Sequence, residues 1–255
     1  MTIITLLSAK GAPGVTTATV ALGLAWSGVH PGRSALVIDA DTAGGDTAAG
    51  VLRGTAPAHA GVLPLATARG ISARQAVDSA SVHLRADGSA RLVPGVPDRA
   101  RSAALGLAWD TISQQLDELA DEGCDVLVDA GRVDVSAPVA PWIAQSDLVL
   151  LATLSNLPSA LAAHQFAAAW NCPHVPLHLL VVDSESPYRP VEVSEAVGVG
   201  LIGVLPFDQR NARVHSEGVV PPRGFERSGY VRGVQRVAAD LGASAKLQTY
   251  RVGGA

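Results

Sequence analysis

The residues best suited to chemistry lie between an apolar run, Ile3-Ile4-Thr5-Leu6-Leu7, and a helix-favouring segment, Thr16–Trp26. They read Ser8-Ala9-Lys10-Gly11-Ala12-Pro13-Gly14-Val15-Thr16-Thr17. Glycines at such a turn let the backbone wrap a phosphate, and the following helix points its free N–H groups and positive dipole end at the anion. A hydroxyl at Thr16 stands where a phosphate-binding loop presents a ligand to magnesium. The plain alternative is a tight strand-to-helix turn that binds nothing, because the loop lacks the usual phosphate lysine.

Two acidic sites bear on that choice. Asp39-Ala40-Asp41 follows the run Ala35-Leu36-Val37-Ile38, and Asp129 follows Asp125-Val126-Leu127-Val128. A strand-terminal aspartate can hold magnesium's water shell, and a second can orient an attacking water. Single aspartates at strand ends are ordinary turn chemistry. Three of them converging with a glycine-containing loop on one sheet edge are not.

The elements that must position these residues follow from apolar runs without alternation. Besides those above, Leu148–Ala152, Leu177–Val182, Leu201–Leu205 and the weaker Arg91-Leu92-Val93 read as strands. Strands of this kind are buried on both faces, as in a parallel sheet between helical layers. Ala103–Ala120 and Ser159–Trp170 are expected as crossover helices, with a last helix near Tyr230–Leu241. Thr55–Ser89 is expected as loops and short helices on the flank. The expected class is a doubly wound, mainly parallel α/β fold, with ligands at the carboxyl ends of the strands. A single domain over residues 1–255 is expected, with 244–255 as a flexible tail.

Composition narrows the function. With 48% hydrophobic residues the chain can bury a core, and 19 basic against 23 acidic residues give a net charge of −4. That balance excludes a surface devoted wholly to gripping nucleic acid. Only Lys10 and Lys246 are lysines, so a lysine inside a motif stands out. Cys124 and Cys172 lie far apart without a CxxC, which points to two buried thiols rather than a zinc site. The seven histidines lack nucleophile partners, and the four tryptophans read as packing anchors. No signal peptide or membrane-spanning run is evident, so a soluble cytoplasmic protein is expected.

These motifs resemble the ParA/MinD-type P-loop ATPases and their deviant Walker A loop. Lys10 through Thr17 match that loop except at two places, Asp39 and Asp41 match its D-x-D, and Asp129 matches its Walker B strand. Leu92-Val93-Pro94-Gly95, Ser146–Leu151 and Leu205-Pro206-Phe207-Asp208 follow in family order, so the resemblance covers Met1 to about Asp208. It implies a P-loop NTPase fold and a site for ATP and Mg2+. Lys10 would reach across a homodimer interface, and Asp41 would position the hydrolytic water. Gly11, Ala12, Pro13, Gly14, Val15, Thr16 and Thr17 would surround the phosphates. Thr16, Asp39 and Asp129 would serve the metal, and Asp183, Pro206 and Asp208 the base.

The departures shape the functional reading. Val15 stands where the conventional lysine contacts the β- and γ-phosphates, and losing that cation removes a charge-assisted contact. Ala12 and Pro13 stiffen the loop. Asp183 replaces an asparagine; as an acceptor only, it suits guanine's N–H groups, so GTP is not excluded. The leading reading is a nucleotide-dependent dimerising protein that positions a cargo or complex, with weak or absent hydrolysis. The TadZ/CpaE proteins, which localise pilus and secretion machinery, are relatives of this atypical kind. One alternative is an active partition or division-site ATPase, recruited to nucleoid, membrane or cell pole. Its DNA face would use Arg223, Arg227, Arg232, Arg236 and Arg251, although a solvated helix face explains them as well. The other alternative is a nucleotide-free pseudo-ATPase scaffold.

Overall fold

A computed structural model describes residues 1–10, 14–68, 70–96, 112, 116, 123–133, 141–183 and 187–252. Among the described residues there are eight strands, seven from the apolar runs and a short addition, β3: β1 (Ile3–Ser8), β2 (Ser34–Asp39), β3 (Val82–His83), β4 (Ala90–Val93), β5 (Cys124–Arg132), β6 (Leu148–Leu154), β7 (Leu177–Asp183) and β8 (Leu201–Pro206). They form one sheet in the order β3-β4-β2-β5-β1-β6-β7-β8, parallel throughout except for β3 against β4.

Among the described residues the α-helices are α1 (Val15–Val29), α2 (Val62–Thr67), α3 (Ala73–Ala80), α4 (Pro141–Ala144), α5 (Leu157–Ala168), α6 (Pro190–Val197), α7 (Gln209–Ser216) and α8 (Gly229–Val252). Strand alternation sends consecutive apolar residues to opposite sides, so each run serves two cores. Ile3, Leu7, Leu36 and Ile38 pack with Leu65, Val77, Phe166 and Val193 under α2, α3, α5 and α6. Ile4, Leu6, Val37 and Leu127 pack on the other face with Leu22 and Trp26 of α1 and Val237 and Leu241 of α8. This explains why the strand sequences carry no polar alternation.

Helix α1 leaves β1 toward one face, whereas α5 leaves the neighbouring β6 toward the other. The connections diverge, and a crevice opens at the carboxyl end of β1. In doubly wound sheets that divergence is where ligands bind.

Below the sheet, Asp125 at the start of β5 ties three elements together. Its buried carboxylate accepts the Thr2 N–H and the Trp26 Nε1–H, each at 2.8 Å, and a two-pronged pair from the Arg33 guanidinium. Burial alone would raise this carboxyl, but the bonds from Arg33, Trp26 and Thr2 win and hold it below its ordinary value.

Three expectations change. Strand β5 does not end before Asp129 but continues to Arg132, because β1 and β2 pair with it on both sides. Asp129 is therefore inside a strand and fully buried rather than at a water-facing end. The last helix extends well past Leu241, to Val252. The short β3 was not expected, since two residues carry no periodic signal. The expected crossover helix Ala103–Ala120 lies almost wholly outside the described residues. Cys124 and Cys172 are buried free thiols, as expected. Among the described residues no helix is long and apolar enough to cross a membrane.

Candidate functional site

Parallel register alone brings the acidic residues together. In β2 and β5 Asp39 pairs with Asp129, and in β1 and β5 Leu6 pairs with the same Asp129. The two carboxylates thus sit on neighbouring strands at one level, beside the strand that feeds the loop.

Asp39 is held on several sides. Its Oδ2 accepts the Thr47 hydroxyl at 2.6 Å and the Thr47 N–H at 3.3 Å, and its Oδ1 accepts the Asp41 N–H at 3.3 Å. Gly95 closes the remaining side, where a Cβ would stand 2.5 Å from the Asp39 carboxyl carbon. Burial raises the pKa of Asp39, against the lowering effect of these bonds. Replacing Thr47 by Val keeps the shape and removes the donor. The expected cost is about 1–3 kcal/mol in a urea unfolding titration, with Thr47→Ser close to the parent. Equal curves for Val and parent would show that the hydroxyl does not hold Asp39.

Asp129 is less satisfied. Its Oδ1 accepts the Gly131 N–H at 2.9 Å, while Oδ2 is buried without a hydrogen-bond partner among the described residues. Burial, and then the nearby Asp39 charge, push its pKa up to about 8, with the Thr16 hydroxyl and Gly131 N–H opposing the rise. An unpartnered buried carboxylate oxygen, a second buried carboxylate and a threonine hydroxyl form an all-oxygen donor set that fits Mg2+. Asp41 accepts the Ala43 N–H at 2.7 Å and lies against Gly131, whose φ of +59° and lack of side chain make room for it.

Above these carboxylates is a cavity of about 460 Å³, walled by residues that include Ser8, Gly14, Val15, Thr16, Thr17, Asp41, Thr47 and Arg132. Helix α1 begins after Gly14, which is left-handed (φ +81°), and no side chain caps its first N–H groups. A helix N-terminus with uncapped N–H groups can accept an anion. Val15 itself is 5% exposed and packs into the apolar core under α1, so position 15 brings no charge to the cavity. Lys10 is exposed and is not part of the wall. Gly11, Ala12 and Pro13 lie outside the described residues.

A second cavity, of about 160 Å³, shares Gly14 and Thr17 with the first and is lined by Val182, Pro206, Phe207, Asp208 and Tyr230 among others. Pro206 and Asp208 are among its lining residues. The Asp208 carboxylate is already engaged as the cap of α7, accepting Asn211 N–H at 3.0 Å and Asn211 Nδ2 at 2.6 Å. Asp183 ends β7 with its carboxylate accepting the Ser155 hydroxyl at 3.2 Å, and it is not among the residues lining this cavity. Helix α7 runs from this cavity to the larger one, which His215 and Ser216 close. Burial lowers the His215 pKa to about 4, so its ring is neutral and pairs with the Tyr230 hydroxyl at 2.9 Å.

Three solved structures share this arrangement of elements. A ParA family ATPase from Chlorobium tepidum superposes with a TM-score of 0.72 at 16% identity, over 94% of this chain and 98% of that one. MinD from Aquifex aeolicus gives 0.71 at 17%, over 95% and 98%. The chain has the ParA/MinD fold. Pyrococcus horikoshii MinD, solved with Mg-ADP, gives 0.69 at 16% over 96% and 98%. No protein-family model and no curated protein matches the sequence of this ParA/MinD-fold chain.

Thr47, Arg132, His215 and Ser216 were not singled out from sequence. Thr47 and Arg132 follow Asp41 and Asp129 closely, so proximity to a motif was the only signal. His215 and Ser216 reach the cavity solely through the placement of α7.

Proposed function

We propose that the protein is a nucleotide-dependent switch that binds ATP with Mg2+, dimerises around it and positions a cargo or complex in the cell. The observation that carries this reading is the unpartnered Oδ2 of Asp129, buried beneath the first turn of α1 beside Asp39 and the Thr16 hydroxyl. Thr16, Asp39 and Asp129 would hold the cation, directly or through water, and the N–H groups of Val15, Thr16 and Thr17 would receive phosphate oxygens. Bound there, Mg2+ supplies charge that offsets both the phosphates and the buried carboxylates. The cavity lined by Pro206, Phe207 and Asp208 would take the base, adenine or guanine. Asp41 would orient water, with slow hydrolysis because Val15 provides no transition-state cation. That Pyrococcus horikoshii MinD, of the same fold, is complexed with Mg-ADP supports a nucleotide with Mg2+ here. Recruitment to a nucleoid, membrane or cell pole belongs to the same proposal, with the cargo as protein partner.

A scaffold that binds no nucleotide is favoured only by the burial of Val15. Sedimentation velocity decides the dimer. Mg-ATP is expected to convert monomer to dimer, and Lys10→Ala, whose exposed side chain is absent from its own cavity wall, is expected to bind nucleotide yet stay monomeric. A Lys10→Ala protein that dimerises like the parent would remove Lys10 from the interface.

A further inference from the structure

We propose that Arg132 supplies the phosphate-binding cation that position 15 lacks, approaching from the β5 side of the loop. The assignment rests on the nucleotide reading above and adds a residue to it.

The argument begins with charge. Asp41 and Asp46 lie in the wall of the 460 Å³ cavity, and Asp39 and Asp129 are buried beside it. A triphosphate entering this acidic place needs more than helix N–H groups. A conventional lysine would meet part of that need, but Val15 is committed to the apolar core. Among the described wall residues only Arg132 and His215 are basic types, and the His215 ring is neutral. Among the described wall residues Arg132 is then the one remaining cation.

Its position comes from the backbone. Along β1 and β5, Leu6 pairs with Asp129, but Ser8 pairs with Arg132 rather than with Gly131. One extra residue on β5 is absorbed between these pairs, a bulge of the kind that re-aims side chains beside functional sites. Gly131 makes it feasible: its φ is +59°, and a Cβ there would stand 2.2 Å from the Asp41 carboxyl carbon. The bulge sets Arg132 level with Ser8, the last residue of β1 before the loop. The guanidinium is also uncommitted among the described residues. Arg132 is exposed, and its side chain makes no hydrogen bond or ion pair among the described residues, unlike Arg33, Arg91 and Arg189. A planar, permanently charged fork suits phosphate oxygens.

The test is calorimetric titration of the parent, Arg132→Ala, Arg132→Gln and Arg132→Lys with AMP, Mg-ADP and Mg-ATP. Charge-assisted contacts of this kind lead to an expected loss of about tenfold or more in Mg-ATP affinity for Ala and Gln. The loss should shrink through Mg-ADP and vanish for AMP, while Lys recovers most of the affinity. Melting curves of all variants should match the parent, since the side chain has no partner to lose among the described residues. A parent that binds with the same phosphate dependence as Ala and Gln would overturn the Arg132 assignment alone. A folded parent that binds none of the three would instead overturn the nucleotide reading on which it rests.

Discussion

Asp125→Ala is expected to lower the unfolding free energy by about 3 kcal/mol, a fall in Tm of roughly 6–12 °C for a chain of this size. The carboxylate accepts four N–H bonds from three residues, and its removal leaves the Trp26 Nε1–H buried without an acceptor. The full cost of a broken buried ion pair does not apply, because the Arg33 side chain is 32% exposed and recovers water. Arg33→Ala is therefore the milder change, leaving Asp125 with Trp26 and Thr2. The pH dependence follows from the lowered pKa. Below its ordinary value of 3.8 the unfolded chain takes up a proton before the folded one, so this contribution is complete above that range and is lost as pH falls through the folded value. The gap between Asp125→Ala and parent should thus be widest near neutrality and close on acidification. A constant gap across the acid limb, read by denaturant titration, would show that packing rather than charge accounts for the loss.

Asp129→Asn should act with opposite signs on two quantities. Without divalent cation the buried carboxyl is a liability, held beside Asp39 with one oxygen unpartnered. Asn removes the charge and brings a donor next to Asp39, so the nucleotide-free variant should gain about 1–2 kcal/mol at pH 8. Mg2+-dependent nucleotide affinity should fall by about a hundredfold or more, the loss of a charged ligand to a hard cation. A purely structural aspartate gives neither the gain nor the selective loss of Mg2+ dependence. If the variant is less stable and its Mg2+ response is intact, the metal role of Asp129 fails.

The contrast between these aspartates shows what sequence could and could not reveal. Both precede or end the same apolar run, and both lie in one nine-residue strand. Runs buried on two faces have no polar alternation, so β1, β2 and β5 to β8 were legible, and with them the meeting of Asp39 and Asp129. Which carboxylate is satisfied was not legible, because the partners Thr2, Trp26 and Arg33 are distant in sequence and meet only through packing. The burial of Val15 was hidden for a similar reason: a valine opening a helix reads the same whether it faces solvent or core. Arg132 depends on a one-residue bulge, which shifts register without marking composition beyond Gly131. Asp183 and Asp208 were placed at the base by motif order; in the fold Asp208 lines the second cavity while its carboxylate also caps α7, and Asp183 bonds Ser155.

The decisive measurement is calorimetric titration of the purified, folded protein with ATP and GTP, each with Mg2+ and with chelator. Saturable binding that strengthens with Mg2+ is expected, because the cavity pairs uncapped helix N–H groups with buried carboxylates, one with an oxygen unpartnered among the described residues. The preferred base would report what the Pro206–Asp208 pocket accepts. No heat with either nucleotide, in protein shown to be folded, would contradict the switch and leave the scaffold reading in its place.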